Sequence, residues 1–369
     1  MKGLGRAGGG GRTGRAGRAG RAGRSGRAGK AGRAGGPERH DYAEDSSVRP
    51  YPPYSPHPPY PTYLPHLAYL PHLAYLPHLA YLPHLAYLLL YLPCLPKRSA
   101  VLTDLSIIIV SFNARADLER CLESLHRPLP TTSHEIIVVD NGSTDGSAGA
   151  ARTWADVRVI ETGANLGFAR ANNVGIRASV GGHLLLLNSD TIVPPDALDR
   201  LVDELRRHPG VAVIGPRLVD GNGRGELSFG SMIGPFNELR QKLLVRGHQN
   251  RWLFISVWVD RLTRRPQAPD WVSGACLLVR RQDAEEVGLL DERYFMYTED
   301  VDFCAAIRAR GRRIRFTPDV EVVHLRGQSA ARRPAATESA YRQSQMAFYR
   351  KHHPRWVPLL RLYLRLKGR

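Results

Sequence analysis

The sequence contains few cysteines and no long apolar segment. Only four of its 369 residues are cysteine, and no two of them stand in a CxxC pair. This scarcity argues against a zinc-cluster or disulfide-framework protein and favours a reducing compartment. No uninterrupted apolar run of about 18–20 residues occurs, and the first residues lack the apolar core and cleavage site of a signal peptide. We therefore expect no membrane-spanning helix and a cytoplasmic protein.

Acidic residues are scarce only at the two ends of the chain. Residues 1–40 contain 11 Lys and Arg against one acid, and residues 326–369 again contain 11 against one. The segment between them holds 30 basic and 32 acidic residues, so the net charge of +18 belongs to the tails. Such a basic excess is typical of nucleic-acid binding, but no nucleic-acid motif accompanies it here. We expect no nucleic-acid partner.

Residues 1–98 have the composition of a segment without a hydrophobic core. A Gly-Arg-Ala repeat fills residues 1–36, and PHLAYL then occurs four times between positions 65 and 88. A proline at every sixth position prevents a continuous helix or a central strand. The repeat fits either a membrane-adhering or polyproline-type spacer, or a repeated DNA tract upstream of the true start; we favour the second. We predict that 1–98 is disordered and that a folded domain occupies 99–330.

The folded domain alternates between apolar strands and helical segments. Apolar runs at 105–112 and 135–140 predict strands that are buried on both faces, and 157–161 and 183–188 predict a short third strand and a fourth. Their spacing along the chain is that of βαβ units. We therefore expect an α/β fold, Rossmann-like, with a mainly parallel central sheet and flanking helices. Ligands of such sheets lie beyond the carboxyl ends of the strands.

Polar residues directly follow two of the predicted strands. Asp140 opens the segment DNGSTDGS (140–147), which is either an ordinary strand-to-helix turn or a loop whose carboxylate binds a nucleotide base or ribose. Asn188, Ser189 and Asp190 follow four leucines in the same way. Carboxylate and amide oxygens suit Mg²⁺ or Mn²⁺, which bind through one or two carboxylates and substrate phosphates. This edge of the sheet is the candidate site.

An acidic cluster and a histidine lie further along the chain. The segment YTEDVD (297–302) places Glu299, Asp300 and Asp302 at the start of a predicted helix. Acids in a first turn complement the helix dipole, but three of them exceed what capping needs. One carboxylate there is a candidate general base for a hydroxyl group. His324 closes the apolar run VEVVH, where it is either structural or a further metal ligand beside Asp190.

Taken together, these segments resemble the family-2 glycosyltransferases with the GT-A fold, most of all the rhamnosyltransferase-like members. The resemblance covers about 225 residues, and the order and spacing of the segments make it specific. The matching segments are IIIVSFN (107–113), IIVVDNGSTDGS (136–147), NLGFARANNVGI (165–176), LLLLNSDT (184–191), WVSGACLLVRR (271–281), DERYFMYTEDVDFCAAIRARG (291–311) and HLRGQS (324–329).

The resemblance implies a role for each matching position. The nucleotide-binding positions of the donor are Ser111, Asn113 and Asp140, and the loop that follows the donor contributes Asn165, Gly167 and Asn172. Asn188 and Ser189 precede Asp190, which matches the metal-binding aspartate of the DxD-type motif, although Asn188 takes the place of its first carboxylate. Asp300 matches the catalytic base, with Glu299 beside it, and Asp302 orients the base loop or the acceptor. His324 matches an additional ligand of the metal or the diphosphate.

The family implies an inverting, metal-dependent sugar transfer of the kind found in cell-wall or polysaccharide biosynthesis. The implied partners are a divalent cation, Mg²⁺ or Mn²⁺, a dTDP- or UDP-linked sugar donor, and a glycan or polyprenyl-linked acceptor. A catalytically inactive protein that binds nucleotide sugars is the alternative. A P-loop NTPase is excluded because GxxxxGK[ST] does not occur, and the Gly-rich basic loop of a nucleotidyltransferase is missing near 107–120.

The basic tail, 331–369, interleaves arginine and lysine with leucine and aromatic residues. This composition fits an amphipathic helix on an anionic membrane surface, which would hold the protein at the inner face of the cell membrane. It fits equally well a packed C-terminal helix with a basic solvated face. Both interpretations stay open from the sequence.

Overall fold

The computed structural model describes residues 103–325 and 334–366. The predictions for residues 1–98 lie outside these ranges. The strands of the described chain are β1 (Leu105–Ser111), β2 (His134–Asp140), β3 (Val157–Glu161), β4 (His183–Asn188), β5 (Thr191–Ile192), β6 (Val211–Val219), β7 (Phe229–Gly230), β8 (Trp271–Val272), β9 (Cys276–Arg280) and β10 (Arg313–His324). They form an eight-stranded sheet in the order β3-β2-β1-β4-β9-β6-β10-β5 and a two-stranded sheet of β7 and β8.

The four strands predicted from the sequence form the parallel half of the sheet. β1 pairs in parallel with both β2 and β4, and β2 pairs in parallel with β3. All seven residues of β1 are buried, because helices cover both of its faces. Among the described strands, β9 is the one antiparallel neighbour in the middle of the sheet, where it lies between β4 and β6. This α/β architecture with a mainly parallel central sheet confirms the predicted fold class, GT-A.

Helices cover the two faces of the sheet. Ile107 and Ile109 of β1 contact one helical layer, which includes the helices at 115–126 and 197–207. Ile108 contacts the other layer, which includes the helices at 168–178 and 299–309. The alternation follows from the period of two in a strand. The helices are α1 (Arg115–His126), α2 (Ser147–Ala151), α3 (Phe168–Ala178), α4 (Ala197–Arg207), α5 (Pro235–Gln249), α6 (Leu253–Leu262), α7 (Arg281–Glu286), α8 (Glu299–Ala309), α9 (Pro334–His352) and α10 (Val357–Leu366), with a 3₁₀ turn at Pro354–Trp356.

The C-terminal helices pack onto the domain. Phe348 and Tyr349 of α9 are buried in a third apolar cluster together with Tyr294 and Val301. Glu238 of α5 is also buried, and it accepts hydrogen bonds from several side chains of α9. The part of the chain seen in the structure contains no helix that is both long and apolar enough to cross a membrane.

Candidate active site

The carboxyl ends of β1 and β2 present two buried polar atoms side by side. Ser111 and Asp140 are register partners of this parallel pair, and both are almost fully buried. Asp140 Oδ2 accepts a hydrogen bond from the Ser143 backbone N–H at 3.0 Å. Within the described residues, Ser111 Oγ and Asp140 Oδ1 have no hydrogen-bond partner. Buried polar atoms are normally paired, so this pair is suited to a polar ligand at the sheet edge.

Asn113 connects the loop after β1 to the DNGST segment. Its backbone φ is positive, at 51°, and its N–H donates to Ser143 Oγ at 3.0 Å. Its side-chain Oδ1 accepts from the Thr144 N–H at 2.8 Å. Asn113 therefore joins the loop after β1 to the loop after β2 at the sheet edge.

The loop before α3 is ordered by a pair of asparagines. Asn165 Oδ1 accepts from Asn141 Nδ2 and from the Gly167 N–H, each at 3.0 Å. Asn141, which the sequence did not single out, also accepts from the Leu166 N–H at 2.9 Å. Asn172 on α3 donates to a backbone carbonyl, and in the described chain its buried Oδ1 is left without a partner. Asn165 thus orders the loop, while Asn172 Oδ1 is available to a ligand.

Gly167 allows two parts of the site to touch. Its φ is +86°, and a Cβ at this position would lie 2.4 Å from the carbonyl oxygen of Phe295. That same oxygen accepts a hydrogen bond from the Phe168 N–H at 2.6 Å. The loop before α3 is therefore joined by backbone to the segment that precedes α8.

We expect Gly167→Ala to destabilise the domain by about 3 kcal/mol or more, because it combines a strained φ with a backbone clash. Gly163→Ala is the matched control, since Gly163 also has a positive φ but a Cβ there meets no atom within 4 Å. The control should cost only about 1–2 kcal/mol. Urea denaturation of both variants measures the difference, and equal losses would show that the contact with Phe295 is unimportant.

The turn after β4 carries the candidate cation ligands. Asp190 Oδ1 lies 3.3 Å from His324 Nε2, and the side-chain amide nitrogen of Asn188 lies 3.4 Å from the same atom. Ser189 lies between Asn188 and Asp190 in the turn. In residues 103–325 and 334–366, no group of three or more His, Cys, Asp or Glu side chains is arranged to hold a metal. Asp190 and His324 are thus two candidate ligands, and a cation bound here would take its other ligands from substrate phosphates and water.

Glu226 completes this group and was missed by the sequence analysis. Its Oε2 lies 3.2 Å from His324 Nδ1, and its side chain is buried. Burial lowers the pKa of His324, but the hydrogen bonds and charges of Asp190 and Glu226 outweigh burial and raise it to about 9. A carboxylate behind an imidazole fixes the ring and increases its basicity as a ligand. Glu226 thus fixes the His324 ring beside Asp190, and a cation bound there would have to displace the proton that the raised pKa places on the ring.

The segment before α8 has an unusual backbone. Tyr297 and Thr298 both have positive φ angles, 68° and 65°, although neither is a glycine. Such conformations are costly, and they persist where surrounding contacts hold them, often at functional sites. Here they turn the chain so that Glu299 and Asp300 begin α8 at the sheet edge.

Glu299 and Asp300 have different surroundings. Asp300 Oδ2 accepts from the Gly274 N–H at 2.9 Å, and Oδ1 accepts from the Val301 N–H at 2.8 Å. Burial raises the pKa of Asp300, and these donors oppose the rise. Burial also raises the pKa of Glu299 well above its ordinary range, and the charge of Asp300 raises it further. Since Glu299 Oε2 has no partner among the described residues, Asp300 is the carboxylate that ionises more readily.

Asp302 is held by three side chains of the protein. Its Oδ1 lies 3.1 Å from the Tyr294 hydroxyl, which donates to it, and 2.6 Å from His352 Nε2. Its Oδ2 accepts from Lys351 Nζ at 2.7 Å. Asp302 therefore joins α8 to α9. These contacts favour a role in orienting the loop that carries the base.

Comparison with known proteins identifies the class. The family model described as Glycosyl transferase family 2 matches residues 106–268. An N-acetylglucosaminyl-diphospho-decaprenol L-rhamnosyltransferase of Mycobacterium tuberculosis is 32% identical over 285 residues, which cover 69% of this chain and 87% of the relative. The protein is thus a glycosyltransferase. The chain belongs to glycosyltransferase family 2, which confirms the resemblance seen in the sequence.

Two further similarities are more distant. A low-salt glycan biosynthesis hexosyltransferase, Agl10, of Haloferax volcanii is 25% identical over 62% of this chain and 69% of its own length. Among solved structures, the chain is similar to a mannosyltransferase of Pyrobaculum calidifontis in complex with GDP-Man and Mn²⁺. That similarity has a TM-score of 0.47 and 20% identity, and it covers 75% of each chain.

Proposed function

We propose that this glycosyltransferase transfers L-rhamnose, with inversion, from dTDP-L-rhamnose to a polyprenyl-diphosphate-linked glycan. The rhamnosyl group and the lipid-linked acceptor are suggested by the name of the mycobacterial relative, and the match covers 87% of that protein's length. We infer that the reaction takes place at the inner face of the cell membrane, with the protein bound peripherally. Transfer from a UDP-sugar and a catalytically inactive, sugar-nucleotide-binding protein are the alternatives.

One observation supports the proposed chemistry above all others. The register of the sheet brings Ser111 beside Asp140, and Val110 beside Asn188, so the donor residues and the cation turn share one edge. The loop between β8 and β9 then connects this edge to the base. The Gly274 N–H donates to Asp300, and the Ala275 carbonyl accepts from the Asn188 N–H at 2.9 Å.

The proposed roles follow from these positions. Ser111 Oγ and Asp140 Oδ1 bind the base or ribose of the nucleotide, and Asn172 lines the loop beyond it. Asp190 and His324 would hold a divalent cation, with Glu226 fixing the imidazole. A cation bound there supplies positive charge against the charge that develops on the departing nucleoside diphosphate.

Asp300 is the proposed general base. It removes the proton from the acceptor hydroxyl as the oxygen attacks the anomeric carbon, and the bond to the diphosphate breaks on the opposite face. A single displacement inverts that carbon and needs no covalent intermediate on the protein. Glu299 stays protonated beside it, since burial and the charge of Asp300 both favour its neutral form. Asp302 keeps α8, and thus the base, in place.

A thermal-shift panel tests the donor site. The full chain is heated with dTDP, UDP, GDP or ADP, each with and without Mn²⁺. We expect a Tm increase of several degrees that needs Mn²⁺ and is largest with dTDP, because a ligand at ~100 times its Kd stabilises a protein by roughly 2.7 kcal/mol. Asp140→Asn should remove most of the shift, whereas the exposed Asp203→Asn on α4 should retain it.

The other outcomes separate the alternatives. The largest shift with UDP would replace the rhamnosyl donor by a UDP-sugar. A folded protein that shows no shift with any nucleotide would contradict the donor site itself.

A further inference from the structure

The α5–α6 helical pair exposes a set of large apolar side chains. Phe254 is 89% exposed, Phe236 76% and Leu253 72%, and Leu239 is 59% exposed. Single exposed apolar residues are common on protein surfaces, but a contiguous group of them marks an interaction site. The exposed members on the two helices are Phe236, Leu239, Leu243, Leu253, Phe254, Val257 and Trp258, with Trp252 between the helices.

These side chains are not part of the core. The inward faces of the two helices are formed by other residues, among them Leu244 and Val245 on α5 and Ile255 and Val259 on α6, which pack against the sheet. A Cβ at Gly247 would lie 2.6 Å from Ile255, so the two helices cross closely at this glycine. Each helix therefore has one apolar stripe toward the core and a second one toward solvent.

The charge of this surface is mainly positive. Residues 235–265 contain seven Lys and Arg and two acids. The acid Glu238 is buried and forms an ion pair with Lys242 at 2.5 Å, which leaves six basic residues and Asp260. Exposed apolar and aromatic side chains among basic residues are the pattern of helices that lie in the headgroup region of an anionic bilayer.

The surface continues onto α10. The ring of Phe236 contacts that of Trp356 with centroids 6.1 Å apart, and His353 Nε2 lies 2.7 Å from the Ile233 carbonyl. On α10, Leu359, Leu362 and Leu366 are exposed beside Arg361 and Arg365, while the opposite side of the helix packs inward. The two exposed apolar stripes thus meet at Phe236 and Trp356.

This surface is connected to the base loop through α9. Tyr341 donates to Glu238 Oε1 of α5 at 3.0 Å, and its ring contacts that of Tyr297, with centroids 6.0 Å apart. At the other end of α9, His352 lies four residues before Trp356 and contacts Asp302. The exposed apolar side chains of this surface are therefore one helix away from the proposed catalytic base.

We propose that the outward stripe of α5 and α6, together with that of α10, is a docking face that inserts its apolar side chains into a bilayer containing anionic lipid. The docking face rests on the proposed function in one respect: a lipid-linked acceptor lies in the membrane, where the enzyme must reach it. A second copy of this chain fits the face less well, because a two-fold interface would bring the basic residues of both copies together. An anionic bilayer supplies both the apolar layer and the opposite charge.

Vesicle co-sedimentation of the full chain tests the docking face without a sugar donor. Vesicles of phosphatidylcholine with about one third phosphatidylglycerol are compared with pure phosphatidylcholine. We expect stronger partitioning onto the anionic vesicles, and a loss of roughly ten-fold or more for Leu253→Ser combined with Phe254→Ser. The matched control combines Leu129→Ser and Val180→Ser. These two side chains are 56% and 71% exposed, and they lie in the loops before β2 and β4, outside the docking face. It should change partitioning less than about two-fold on the same scale.

Three results would overturn the docking face: equal binding to both kinds of vesicle, equal loss in the two double variants, or a wild-type dimer that Phe254→Ser dissociates in analytical ultracentrifugation. The thermal shift with nucleotide is measured on the same samples. A retained nucleotide shift with failed vesicle binding rejects the docking face alone. Vesicle binding without any nucleotide shift rejects the proposed donor site alone.

Discussion

Asp190→Ala should reduce sugar transfer by at least roughly 10²- to 10³-fold, because it removes the carboxylate that would hold the cation at the diphosphate. The substitution leaves His324 with Glu226 as its remaining carboxylate neighbour and does not touch the core of the sheet. Initial rates with a radiolabelled nucleotide sugar and a polyprenyl-diphosphate acceptor measure the loss. The Mn²⁺-dependent part of the thermal shift should disappear in the same variant.

Asp203→Ala on α4 is the control for the loss of one acid. The Asp203 side chain is exposed, and its ion pair is with an arginine of the same helix, at 3.5 Å. It should retain full turnover. Undiminished transfer by the Asp190 variant would remove the cation from the proposed mechanism, whatever the control does.

Asp300→Asn should reduce kcat by roughly 10²- to 10⁴-fold with little change in the KM of the donor, because an amide cannot take the proton of the acceptor. The amide oxygen can still accept from the Gly274 N–H, so the loop should keep its position. Glu299→Gln is the matched comparison, and its effect should be much smaller because burial and the charge of Asp300 favour the neutral form of Glu299. A larger loss in the Glu299 variant would exchange the roles of the two carboxyls.

The pH profile of kcat gives a second measurement of the same base. Burial raises the pKa of Asp300 in the folded protein, and the base acts only when it is ionised. The rate should therefore fall as the pH decreases through a pKa above the ordinary aspartate range, and it should be constant above it. This acidic limb should be absent from the residual activity of Asp300→Asn. An unchanged limb in that variant would assign the titration to another group.

The parallel half of the fold was predictable because each of its strands is marked by a local pattern. The run at 105–112 is apolar throughout, and the structure buries all of β1. Asp140 and Asp190 followed from the same patterns, since the carboxyl ends of parallel strands meet at one edge, whereas Ser111 was assigned from the family resemblance. Ser111 and Asp140 are indeed register partners there. Their roles in binding stay predictions.

Other parts of the site depend on contacts that no local pattern announces. Glu226 lies in a polar loop 98 residues before His324, and only the pairing of β6 with β10 and the turn after β6 bring the two together. The contacts of Asp302 with Lys351 and His352 likewise join residues about fifty positions apart. The antiparallel insertion of β9 between β4 and β6 is equally long-range.

The dipeptide Gly274-Ala275 connects two parts of the candidate site, Asp300 and the end of β4. The Gly274 N–H donates to Asp300, and the Ala275 carbonyl accepts from the Asn188 N–H, two residues before Asp190. Two covalently linked residues thus act as a spacer between the proposed base and the proposed cation ligand. A change in the other loops at this edge would therefore leave the spacing between Asp190 and Asp300 intact, whereas a change in this dipeptide would alter it.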